Sequence, residues 1–256
     1  MKTADMTNLE LLPIAGMDRM AWMEDEGAVT QFWHAVGPRK PWEWGLPSNR
    51  KLLAAIVGSD VAGHVYEISD PVEKIWKPRD ILSPFLVGGD VKVRERLAHW
   101  IVFHWGGIHS GDESVYSDWL ERLGDFSQER VFEFVRQQRA DRISSWSKIL
   151  SFAAYNLYPI YDSRTAVSVN VALAKIRGRT FLAMPTPQNT KLPDAIERLD
   201  KVRERRGVWT SLSWTYLPYL FLLRQLVHFG LVGSILEAET RLFANAEELA
   251  EEWIQW

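Results

Sequence analysis

Apolar residues recur at helical spacing in one stretch of this chain after another, and almost nothing alternates with period two. "DVKVRERLAHWIVFHW" predicts a strong helix: Asp90 can cap its start, and Gly106-Gly107 ends it. "ESVYSDWLERLG" and "SQERVFEFVRQQRA" carry the same spacing. "ISSWSKILSFAAY" predicts a buried helix with Ser144 or Ser145 as its N-cap and Ile149, Leu150, Phe152, Ala153 and Tyr155 turned inward. "NLYPIY" then turns the chain, because Pro159 disfavours helix at Tyr158. Asp162 stands as a natural cap for the amphipathic run "SRTAVSVNVALAKI". "GRTFLAMPTPQNTKLP" is a loop with three prolines. "DAIERLDKVRERRG", "SLSWTYLPYLFLLRQLVHFG" and "AEELAEEWIQW" complete a helical series. The pattern predicts an all-α fold of about ten helices, packed as one domain over residues 1–256 in two adjoining lobes. Two stretches read differently. Residues 1–50, rich in Trp, Pro and Gly, predict an irregular wrapping segment, within which "FWHAVG" reads as a helix end before a Pro-rich loop and a helix with Ser48 or Asn49 as its cap. "DPVEKIWKPRD" reads as a loop or short strand closed by Pro78.

Composition narrows the picture. With 256 residues, 46% of them hydrophobic, the chain can bury a sizeable core. It has no cysteine, which excludes disulfides, iron–sulfur clusters and thiolate zinc sites. The most apolar stretch, "YLPYLFLLRQLVHFGLVGSIL", is interrupted by Pro218, Arg224, Gln225 and His228, so it reads as a buried helix and its successor rather than a membrane span. "MKTADMTNLELLPIAG" holds no apolar run of signal-peptide length. The expectation is a cytoplasmic protein with no membrane partner. The net charge of −3 hides a division: residues 136–206 hold 14 Lys/Arg against 6 Asp/Glu, a net +8, and the remainder carries −11. Such asymmetry marks either a polyanion-binding face or a solvated pair of basic helices.

No P-loop, dinucleotide fingerprint or Ser-His-Asp element appears, and no cofactor is called for. His104 and His109 flank the Gly-Gly turn without an acidic partner at ligand spacing, so no metal site is expected. The candidate chemistry lies in "SWSKILSFAAYNLYPIYDSRTA", where Lys148 and Asp162 stand fourteen residues apart near the starts of two consecutive helices. A lysine in a first helical turn meets the positive end of the dipole, which lowers its pKa and raises its nucleophilicity. The plainer alternative is that Asp162 only caps a helix and that Lys148 is a surface lysine beside a tryptophan.

The whole constellation resembles the catalytic segment of helix-hairpin-helix DNA glycosylases. It is most similar to their 8-oxoguanine-glycosylase-like bacterial branch, in which a "SK" helix precedes a "PIYDSR"-like element. The matching residues are Ser147-Lys148 and Pro159-Ile160-Tyr161-Asp162-Ser163-Arg164, and the clear match covers about 25 residues. The resemblance implies a target base flipped out of the duplex and cut from its sugar. It implies Asp162 as the carboxylate that stabilises positive charge on the sugar. It implies Lys148 either as a Schiff-base nucleophile that leads to strand cleavage or as a positioning residue that leaves an abasic site. "ADRISSWSKI" lacks the glycine-rich turn that usually holds DNA phosphate in this family. Arg139, Arg142, Ser145, Trp146, Ser163 and Arg164 are the DNA contacts expected in its place.

For the base pocket the candidates are the aromatic clusters "PWEWG" and "SWTY" and the Gly-Gly turn: Trp42, Trp44, His104, Trp105, Trp214 and Tyr216. Any of these can equally be core. The expected function is that of a monomeric DNA glycosylase acting on a damaged or chemically modified base, with weak or no strand cleavage. Such an enzyme would serve repair, or antiviral defence against phage DNA with modified cytosines. The alternatives are a non-catalytic DNA-binding module that kept the fold and a helical protein with no nucleic-acid role.

Overall fold

Twelve α-helices form among the residues described by the computed structural model: 17–40, 45–109, 114–178, 180–206, 209–210 and 215–256. They are α1 (Glu26–Val36), α2 (Arg50–Val57), α3 (Ser59–Tyr66), α4 (Glu73–Gly88), α5 (Val91–His99), α6 (Ser114–Leu123), α7 (Gln128–Gln138), α8 (Ile143–Ala153), α9 (Ser163–Lys175), α10 (Pro193–Arg206), α11 (Tyr216–His228) and α12 (Ile235–Gln255). A 3-10 segment, Met17–Glu24, precedes α1. The β-structure among these residues is one short parallel pairing, β1 (Thr180–Phe181) on β2 (Trp209–Thr210). The fold is all-α, as the periodicity predicts.

Three elements depart from the sequence reading. Among the described residues of the first 50, the helix end read at "FWHAVG" closes a full three-turn helix rather than an irregular segment: Asp25 caps α1 by accepting from the Ala28 amide, and Val29, Phe32, Trp33 and Val36 bury one helical stripe. Residues 73–88 form α4, not a loop or strand. Pro78 and Pro84 lie inside it and each removes a ladder bond. Ile75, Pro78, Arg79, Leu82 and Leu86 are buried on one face, and this burial outweighs the lost bonds. Helix α8 begins at Ile143 with Arg142 as its N-cap, rather than at a serine cap.

The buried residues form one continuous core, with α8, α9 and α11 at its centre. α9 is buried along most of its length and packs on α12 and α1. Its internal polar groups find partners in neighbouring backbone, as burial requires. Ser168 donates to the Leu242 carbonyl (2.5 Å). Asn170 donates to the Leu182 carbonyl (2.9 Å) and accepts from the Leu182 amide (2.8 Å), which ties the chain after β1 to α9. α5, capped by Asp90 as expected, runs on into a π-helical turn, Trp100–Trp105. The Gly106 amide closes that turn on the Ile101 carbonyl (2.8 Å). Turns of this kind are rare and recur at functional sites. Here the turn brings Trp105 and Gly106 against α8.

Candidate active site

Each backbone polar group from the Pro159 carbonyl to the Asp162 amide is held by a side chain. Tyr216 and Tyr219 of α11 donate to the carbonyls of Pro159 (2.9 Å) and Ile160 (3.1 Å). Glu239 of α12 accepts from the Ile160 amide (2.9 Å). The Ser147 hydroxyl on α8 accepts from the Tyr161 amide (3.1 Å) and lies 3.3 Å from its carbonyl. Thr165 accepts from the Asp162 amide (2.9 Å). A buried loop must satisfy these groups, and each such bond contributes about 0.5–1.5 kcal/mol. "PIYD" is therefore a rigid mount for Asp162.

Asp162 caps α9, as the sequence predicts, in a reciprocal capping box with Thr165. One oxygen does the capping: Oδ1 accepts from the amides of Arg164 (3.0 Å) and Thr165 (3.1 Å). Oδ2 accepts no hydrogen bond among the described residues. Capping and chemistry thus need not compete for the same atom.

Lys148 corrects two expectations. It sits in the middle of α8, not its first turn, and it is 4% exposed rather than a surface lysine. Its amine donates to the Ser144 carbonyl one turn back (2.9 Å). It makes no ion pair within 4.0 Å among the described residues. The pKa is lowered, as expected, but burial is the cause rather than the helix dipole. Asp162 and Glu239 push the other way, and Arg79 and Arg164 add to the lowering.

Lys148 and Asp162 line one cleft of about 1010 Å³. Trp105, Arg142, Ser145, Ser163 and Arg164, all expected from the sequence, line it as well. Arg142 is exposed and holds a left-handed conformation (φ 49°, ψ 30°) at the start of α8. Arg164 is half-buried, within 3.5 Å of Glu247, and its guanidinium lies over the Phe243 ring. Arg139, also at positive φ, is exposed at the end of α7 but is not part of the cleft wall.

Other expected site residues belong to the core. Trp146 is fully buried and donates its indole N–H to the Asp141 carbonyl (2.8 Å), so it cannot touch DNA. Tyr216 is 1% exposed and clamps Pro159 instead of lining a base pocket. His104 lies off the cleft with its Nδ1 2.5 Å from the Asn49 side-chain nitrogen, and burial lowers its pKa. Asn49 precedes α2 without making a side-chain cap bond. Trp42, Trp44 and Trp214 lie outside the described residues.

A further part of the wall was not foreseen. It comes from the Met184–Pro185–Thr186 stretch, Gln188 to Thr190, and Phe243 and Glu247 of α12. Glu247 ties this loop to α12 by accepting from Asn189 (2.9 Å) and Lys191 (2.6 Å), and the Lys191 bond leads in holding its carboxyl below the usual range. Thr186 between Pro185 and Pro187, with the polar run Gln188 to Lys191 after them, was the available signal for a built loop.

Gly106 is a test of Lys148 placement. A Cβ there would meet Lys148 Cδ at 2.6 Å and the Val102 carbonyl at 2.7 Å. Gly106→Ala is expected to shift the lysine stem, and any catalytic rate that depends on the amine should fall roughly tenfold to a hundredfold, since about 1 Å of misplacement suffices. Gly107→Ala is the control. Gly107 borders the cleft too, but a Cβ there meets nothing within 4 Å and leaves the lysine stem in place. Strained by its positive φ, the variant should cost about 1 kcal/mol of stability and lower the rate less than Gly106→Ala. Equal rates in the two variants would mean that the position of the stem does not matter.

Comparison with protein-family models, curated proteins and solved structures finds no match to this chain. A reading of its function therefore rests on the site itself.

Proposed function

We propose that this protein is a DNA N-glycosylase that flips a damaged or modified base into the cleft and excises it. The observation that carries the reading is the convergence of Lys148 and Asp162, from different helices, on one cleft whose wall also holds Arg142 and Arg164. A lone capping aspartate or a lone buried lysine would support no such reading. A buried lysine without an ion pair destabilises a fold, which favours a functional reason for keeping it.

In this reading Asp162 Oδ2 faces the sugar as the bond from C1′ to the base nitrogen breaks. The bonding electrons leave with the base, and positive charge grows on the sugar. A carboxylate held on a rigid loop stabilises that charge without reorganising. Water then adds to C1′, its proton goes to solvent or to the departing base, and an abasic site remains. The cleft is at the upper end of the about 300–1,000 Å³ typical of small-molecule pockets, which leaves space for a substituent on the base. Incubation with DNAs of natural and phage origin, followed by mass spectrometry of released bases, tests this directly. The expected result is one class of free base and an equal yield of abasic sites. No released base from any of these DNAs would sink the proposal.

Arg142 gives a second test. An arginine at positive φ carries strain of roughly 1 kcal/mol that glycine does not. Arg142→Gly is expected to leave stability unchanged or raise it slightly, and to weaken binding to all DNA sequences alike. The slope of log affinity against log salt should fall by about 1. Unchanged affinity at every salt concentration would remove Arg142 from the DNA contacts.

A further inference from the structure

A second, smaller cavity shares Lys148, Asp162 and Phe243 with the cleft. Its other walls include Arg79, Glu239 and Ile160, and its volume is about 20 Å³. Such a space holds about one water molecule, and Glu239 and Lys148 both border it. Arg79 and Glu239 are 1% and 4% exposed and form a two-pronged ion pair, 2.8 Å through Nη2 and 3.3 Å through Nη1. Arg79 also donates to Ser151 of α8 (2.8 Å) and lies over the Trp105 ring. Glu239 also accepts from the Ile160 amide (2.9 Å). One buried pair thus joins α4, α12, α8, the π-helical turn and the loop that carries Asp162.

We propose that Glu239, held in place by Arg79, is a positioning residue of the candidate site: it fixes the Asp162 loop through Ile160 and supplies, beside Asp162, the second negative charge at the small cavity that Lys148 borders. The proposal rests on the excision reading for its role in catalysis, but not for its hold on Lys148. A buried pair kept for stability alone has no need to reach the loop amide or to border the lysine. Apolar residues of similar volume often stabilise as well. The charged groups that act on Lys148 are Asp162, Glu239, Arg79 and Arg164. Removing one member of the Arg79–Glu239 pair therefore changes the balance in a direction that can be stated.

The experiment uses the full chain without DNA. NMR titration follows the lysine amines, with the Lys148 signal identified by its loss in Lys148→Met. In Glu239→Gln the amine is expected to titrate at lower pH than in the unaltered chain, because a negative charge is gone and Arg79 remains. In Arg79→Met it is expected to titrate at higher pH, because Glu239 then has no closer partner. Opposite shifts support the placement of the pair beside the amine, which a pair remote from it would not produce, and the kinetic arm tests the positioning role. Titration unchanged in both variants overturns the proposal. Excision kinetics form the second arm: Glu239→Gln should lower kcat at least about tenfold with KM within about twofold. Lost binding with kcat intact overturns the positioning role. Opposite titration shifts in a chain that releases no base support the hold on Lys148 and remove only the excision reading. If neither single variant folds, the double variant Arg79→Met with Glu239→Gln leaves no unpaired charge. The same fall in kcat there supports the proposal, and an unchanged kcat overturns it.

Discussion

Asp162→Asn is expected to lower base excision by about a hundredfold or more while leaving the fold almost as stable as before. The geometry separates the two effects. Both capping bonds, from the amides of Arg164 and Thr165, end on Oδ1. Asparagine keeps a carbonyl oxygen in that place and caps about as well, so the change in stability should stay under about 1 kcal/mol. The amide replaces Oδ2, and with it the negative charge that the proposed excision needs as the glycosidic bond breaks. Asp162→Ala loses the cap as well, and its thermal midpoint should fall accordingly. Single-turnover excision rates and thermal melts of the two variants make the comparison. Asparagine at full rate would reduce Asp162 to a capping residue. Equal destabilisation by asparagine and alanine would mean that the charge, rather than the bond geometry, holds the end of α9.

What the sequence disclosed follows from how local the governing physics is. The caps at Asp90 and Asp162 were readable because a cap is decided within four residues. The all-α class was readable because helical periodicity persists through long segments. Helix α4 was not, because Pro78 marks a stop locally while the stripe from Ile75 to Leu86 is decided by burial. Trp146 and Tyr216 show the limit for aromatics: the sequence marks them as large and polar-tipped, but only the fold shows each donor turned to a backbone carbonyl in the core. The Arg79–Glu239 pair joins residues 160 positions apart, and nothing in either neighbourhood announces it. For Lys148 the direction of the pKa shift was expected, but its cause was misplaced. The dipole argument needed a helix start two or three residues later than Ile143, whereas burial acts wherever the residue lies in α8.

Lys148→Met is expected to raise stability and to remove any covalent chemistry at the site. The amine is buried with one hydrogen bond, to Ser144, and three donors to satisfy. Its pKa is lowered from 10.5 in the folded chain, so the unfolded chain binds the extra proton. The penalty is therefore complete below the folded value and fades as pH rises toward 10.5. Methionine should raise the thermal midpoint at neutral pH by about 2–4 °C, and the gain should shrink in alkaline buffer. A midpoint that falls instead would show that the lysine stem contributes more packing than its charge costs. Under the proposed excision reading, two roles for the lysine differ in their products. As nucleophile, Lys148 joins the sugar in a Schiff base that borohydride traps, and strands break without added alkali. As a positioning residue, it leaves an abasic site made by water. The lowered pKa favours the first role, because it raises the share of neutral amine, the form that attacks. The placement favours the second: the amine is committed to Ser144 on a residue 4% exposed, and attack requires an approach to about 3–3.5 Å. We therefore expect excision as the main activity, with trapping weak in the unaltered chain and absent in Lys148→Met, and excision reduced less than trapping. Efficient trapping that disappears with the substitution would make Lys148 the nucleophile, and the bond to Ser144 would then be one that the bound DNA breaks.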